Sequence, residues 1–133
     1  MRQRGWAWVA MAIAIALHVA DEATHDFLSL YNPAAEAIHR AVPFLPVPVF
    51  TFPVWIAGLT AGVTLMLAVS PAVFRSARWT RPVCYIVPVL MVLNSVGHVA
   101  GSLYLGRPAP GVYSSPVLAA AAVWLFMTTR RVK

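Results

Sequence analysis

Four long apolar runs alternate with short polar or proline-rich breaks, at about residues 5–30, 49–74, 82–105 and 112–128. An α-helix rises 1.5 Å per residue and crosses a ~30 Å hydrocarbon core with ~20 residues. Each run therefore predicts a transmembrane helix. Trp6 and Trp8 suit the membrane interface at the start of the first. After it, Asn32-Pro33 reads as a helix cap and first helical residue. A short helix over 33–41 follows, polar on one side at Glu36, His39 and Arg40, and lies in the interface. Pro43, Pro46 and Pro48 stiffen the next stretch. The pattern gives an all-α integral membrane protein with a single domain over residues 1–133. It is a four-transmembrane-helix bundle with a short interfacial helix between its first two spans.

The first run breaks its own pattern. Gly5 to Leu17 rises only about 20 Å, so a spanning helix carries His18, Asp21, Glu22 and His25 into the outer part of the membrane. An ionisable group at depth costs roughly 2.5–3.5 kcal/mol on insertion scales, which makes such groups functional candidates. Positions 18, 21, 22 and 25 share one helical face, with Asp26 toward its edge. Ala12, Ala16 and Ala20 make a separate small-residue stripe.

The third run answers at the same depth. Counted from Gly5, His18 and Glu22 lie about 20 and 26 Å along the first helix; counted from Pro82, Asn94 and His98 lie about 18 and 24 Å along the third. A polar pocket is expected between these two helices, toward the outer leaflet, with Tyr104 near His25.

Composition sharpens the class. Sixty per cent of the residues are hydrophobic and 11% charged, outside the range of soluble domains. The net charge of +6 does not indicate nucleic acid, because the basic residues sit at the ends of apolar runs without a basic face interleaved with aromatics. Eight of the ten Lys and Arg residues fall at the N-terminus, in 75–81 and at the C-terminus. The positive-inside rule then puts both termini in the cytoplasm, in a bacterial-type cytoplasmic membrane. The single Cys84 reads as a buried thiol. Gly58-xxx-Gly62 and Gly97-xxx-Gly101 predict close helix contacts, and the small-residue faces allow a homo-oligomer.

Imidazole and carboxylate three or four residues apart on a helix can share a metal ion. His18/Glu22 and Glu22/His25 have that spacing, and Glu36/His39 repeats it. A di-metal bundle is incomplete, because the second and fourth spans supply neither carboxylate nor histidine. A mononuclear site of His18, Glu22, His25 and His98 needs fewer assumptions, and its nitrogen and oxygen donors suit zinc or iron without choosing between them. Each polar residue also has a simpler role. His18 can bond across helices, His98 and Asn94 can bond each other, and Asp21, Asp26 and Glu36 can be solvated.

His18-Val-Ala-Asp21-Glu22 resembles the His-x-x-Glu-Glu signature of the HXXEE domain family. Asn94-Ser-Val-Gly-His98, then Tyr104 and Pro110-Gly111, resembles that family's later segment. The resemblance covers about 17–118 and departs at Asp21, where glutamate is usual. It implies a small multi-pass membrane protein and these site residues. It implies no reaction, because the family has no settled activity.

Three functions are compatible with these residues. The first is a membrane-embedded enzyme acting on a hydrophobic, lipid-like or terpenoid-like small molecule. In it His18, Glu22, His25 and His98 hold a metal, Asp21 serves as acid, base or supporting group, and Asn94 orients a ligand. The second is a metal-free acid/base isomerase or cyclase using Asp21 and Glu22. The third is a non-enzymatic carrier or membrane subunit, in contact with membrane lipid.

Overall fold

The computed structural model describes residues 2–131. Five helices follow one another: α1 (Arg2–Thr24), α2 (Phe27–Ala41), α3 (Phe52–Phe74), α4 (Thr80–Leu105) and α5 (Ser115–Arg130). No strand occurs among the described residues. Three of the helices, α1, α3 and α4, are long and apolar enough to cross a membrane. The fourth apolar run forms α5, whose 16 residues rise only about 24 Å. The surface is consistent with a membrane protein: Leu65, Leu93 and Leu103 are exposed while His18, Glu22, Ser95 and His98 are buried.

The first run ends earlier than its hydropathy suggests. The helix stops at Thr24 rather than near Leu30, and Asp26 turns the chain at φ 55°, in the left-handed region. Local side-chain bonds explain the stop. Thr24 Oγ1 donates to the Ala20 and Asp21 carbonyls, and His25 Nδ1 lies 2.8 Å from the Asp21 carbonyl. Such bonds compete with continuation of the helix. The helix expected over 33–41 accordingly begins at Phe27, and Pro33 lies inside it. Asn32 does not cap it. Its amide instead donates to the Phe50 carbonyl and accepts from the Phe50 N–H, clamping the 43–51 connection onto α2. Tyr31 Oη adds a bond to the Pro48 carbonyl. The second span starts at Phe52, with Pro53 in its first turn where a missing N–H costs nothing.

In the bundle α1 packs between α3 and α5, and α4 packs on α5. The core joins Trp8, Met11 and Ala14 of α1 to Val73, Cys84, Leu118, Ala122 and Leu125. Trp8 is fully buried and donates its indole N–H to the Met66 carbonyl, tying α1 to α3. Gly5 makes the closest crossing: a Cβ there would come within 2.3 Å of the Phe74 ring. Of the expected glycine contacts, only that of Gly101 is made among the described residues, where a Cβ would lie 4.0 Å from Ala109 Cβ. A Cβ at Gly58, Gly62 or Gly97 would meet nothing within 4 Å. Of the alanine stripe, Ala12 is buried while Ala16 and Ala20 are exposed.

Because α5 sits between them, α1 and α4 leave a gap on the site side. Polar side chains bridge it, and the loop into α5 closes it. Gly106, at φ 62°, ends α4 in the left-handed conformation common after helices. Ser102 Oγ donates to the His98 carbonyl and accepts from the Ala109 N–H, holding this loop against α4.

Candidate metal centre

Three side chains converge in the gap. His18 Nε2 lies 3.2 Å from His98 Nε2 and 3.5 Å from Glu22 Oε1, and His98 Nε2 lies 3.0 Å from the same carboxylate oxygen. All three are buried. Their spacing follows from the helices: His18 and Glu22 are one turn apart on α1, and His98 faces them from α4. Donors bound at about 2.1 Å stand ~3.4 Å apart around a tetrahedral ion and ~3.0 Å apart on one face of an octahedral ion. The observed separations span that interval, so these residues could hold one metal ion. Two imidazoles and a carboxylate form a donor set used by zinc and by non-haem iron.

The surrounding hydrogen bonds orient the donors. Ser114 Oγ donates to Asp21 Oδ2 at 2.7 Å, and the Ser114 N–H bonds the same oxygen at 2.8 Å. With its proton given to the carboxylate, Ser114 Oγ accepts from His18 Nδ1–H at 2.8 Å. In neutral His18 that leaves the Nε2 lone pair facing the centre. Asn94 Nδ2 donates to this atom at 3.2 Å. In the absence of a metal, His98 Nε2–H can donate to Glu22, so the group satisfies its own hydrogen bonds.

The loop completes the enclosure. Gly111 adopts φ +86°, and a Cβ on it would lie 2.6 Å from His98 Cε1 and 3.0 Å from His18 Cε1. The backbone thus seats directly on both imidazoles, which only glycine permits. Ser115 Oγ donates to the Gly111 carbonyl and fixes that position. On the other side the Phe27 ring packs against His98, with centroids 5.7 Å apart.

The sequence-derived residues separate into two groups. His18, Glu22, Asn94 and His98 come together as their depths suggested. His25 stands outside the trio: its Nδ1 lies 2.9 Å from Asp21 Oδ1 and closer still to the Asp21 carbonyl, and its side chain is half exposed. Bond angles favour the carbonyl, leaving Asp21 Oδ1 buried without a directed donor. Asp21 therefore supports His18 through Ser114. Tyr104 is 90% exposed and does not approach His25; its place is taken by Tyr113, with ring centroids 5.3 Å apart. Glu36 and His39 line a separate groove with Pro46 and Pro48.

Ser114 was not legible as a site residue. Nothing in the sequence links it to Asp21, 93 positions away. No family model, curated protein or solved structure matches the chain.

Proposed function

We propose that the chain is a membrane-embedded metalloenzyme acting on a hydrophobic, lipid-like small molecule. The observation that carries this reading is the buried His18–Glu22–His98 trio, with donor atoms 3.0–3.5 Å apart in a bundle whose outer surface is apolar. A structural hydrogen-bond network does not require two histidines and a glutamate to aim their donor atoms at one point. Bound there, zinc or iron would act as a Lewis acid or activate a water. The chain's own residues do the positioning. Asp21 and Ser114 hold the His18 tautomer, Gly111 fixes both rings, and Asn94 offers an amide to a bound molecule. In this reading α5, extended by the preceding loop, completes a fourth span, and both termini lie in the cytoplasm with the Arg-rich 75–81 loop. The His18-x-x-Asp21-Glu22 and Asn94-x-x-x-His98 segments also support placing the chain with the HXXEE family.

The direct test is a comparison of bacterial lipid extracts after incubation with wild-type protein, with chelator-treated protein and with the Glu22→Gln variant. An apolar compound converted only by the metal-loaded wild type supports the assignment. Extracts unchanged under all three conditions contradict it. One observation favours a second reading, a metal-free acid/base enzyme: the trio and Asn94 close their own hydrogen bonds without an ion. Conversion that survives chelation but not Glu22→Gln would select it.

A further inference from the structure

Beside the metal centre lies a cavity of about 300 Å³, lined by His25, Asp26, Ser29, Arg107, Pro110 and Tyr113 among others. It is near the lower end of small-molecule sites, which start at ~300 Å³. Two of its residues adjoin the centre's support: His25 rests on Asp21, and Tyr113 precedes Ser114.

Its charges are arranged unusually. Asp26 and Arg107 line the same space, yet they do not pair with each other. The ion pairs among the described residues join only carboxylates to histidines. Asp26 is fixed by the left-handed turn between α1 and α2 and by a 2.5 Å bond from Ser29 Oγ. Arg107 follows the left-handed Gly106 and precedes Pro108, so the chain around it is also constrained. A carboxylate and a guanidinium, both reached by solvent, thus line one cavity without pairing with each other, each carried on a constrained turn. A lone anion would meet Asp26, and a lone cation would meet Arg107. A molecule carrying both charges a few bonds apart satisfies the two together.

We infer that this cavity binds a zwitterionic group with a primary ammonium and a phosphate, the chemistry of phosphoethanolamine. Asp26 accepts from the ammonium N–H groups, and Arg107 presents its fork of donors to the phosphate, a match that guanidinium geometry favours. Tyr113 Oη, on the rim, can add a donor to the phosphate. The inference rests on the membrane-embedded reading above, for which it names the substrate or lipid headgroup, but it does not depend on the metal.

The test is native mass spectrometry of the detergent-solubilised full chain, with metal content measured on the same samples. The protein is titrated with phosphatidylethanolamine, phosphatidylcholine and phosphatidylglycerol of identical acyl chains, and separately with free O-phosphoethanolamine. Phosphatidylethanolamine is expected to bind about tenfold more tightly than either other lipid, a difference the size of one charge-assisted contact. Phosphatidylcholine lacks ammonium N–H groups, and phosphatidylglycerol lacks the cation. Asp26→Asn, which keeps a residue tolerant of the left-handed turn, is expected to abolish the preference over phosphatidylglycerol. Arg107→Gln is expected to weaken all three lipids. Displacement of the lipid by free O-phosphoethanolamine would show that the headgroup alone suffices, and retention would place the source in the membrane lipid. Equal binding of the three lipids, or a preference unchanged in both variants, overturns the inference. A preference kept in protein that takes up neither zinc nor iron when both are supplied would sustain this inference while the metalloenzyme reading fails.

Discussion

His18 and His98 bring their Nε2 atoms to 3.2 Å across 80 positions of sequence, with ring planes inclined at 75°. Two neutral imidazoles at that distance make one hydrogen bond at most. Glu22 beside both makes a trio that could chelate an ion. Replacing its carboxylate by an amide tests that capacity with little change in volume. Glu22→Gln is expected to lower zinc affinity by more than the ~10–100-fold typical of losing a supporting hydrogen bond. Competition against a chromophoric chelator measures it.

Ser114 reaches the centre through His18. Ser114→Ala removes the hydroxyl between Asp21 and His18 Nδ1 while the Ser114 backbone bond to Asp21 can persist. The expected effect is a ~10–100-fold loss of metal affinity with the donor set unchanged. The same titration checks it, and an unaltered affinity would show that the tautomer is held by something else.

Gly111→Ala places a methyl group where the His98 and His18 rings already lie, on a backbone at φ +86°. Strain of this kind costs about 1–3 kcal/mol. The variant is expected to melt several degrees lower and to bind metal weakly. Ser115→Ala, which removes only a bond to the Gly111 carbonyl, is expected to show a milder version of both effects.

Much of this arrangement is legible in the sequence, and what escapes has physical causes. Apolar runs long enough to span locate α1, α3 and α4. Depth along those runs places Asn94 and His98 against His18 and Glu22, because helical rise is constant. The end of α1 is missed because hydropathy does not register Thr24 and His25 bonding back onto their own turn. Asn32-Pro33 misleads because the Asn32 amide has a distant partner in Phe50. Ser114 is invisible because its role depends on where the 106–114 loop folds. Gly58, Gly62 and Gly97 predict a neighbour that the described residues do not provide, whereas Gly101 meets Ala109.

The clamp from Asn32 to Phe50 shares no hydrogen bond with the His18–Glu22–His98 group. Asn32→Ala is expected to release the 43–51 segment and to speed limited proteolysis there, while metal stoichiometry stays at the wild-type value. Gel mapping of the cleavage products, with metal analysis of the intact fraction, checks both halves.

Trp8→Phe offers a control in the core. It removes the indole bond to the Met66 carbonyl, worth about 0.5–1.5 kcal/mol, and leaves a small void between α1 and α3. A lower melting temperature with full metal binding is expected, which would separate the bundle's stability from the integrity of the centre.

The most direct measurement is elemental analysis of protein purified in detergent without a histidine tag, beside a His98→Ala variant, both from metal-supplemented growth. One equivalent of zinc or iron in the wild type, lost in the variant, is the expected result and joins α1 to α4 through a shared ion. Metal absent from both proteins, or retained undiminished in His98→Ala, would contradict a metal centre built on His18, Glu22 and His98.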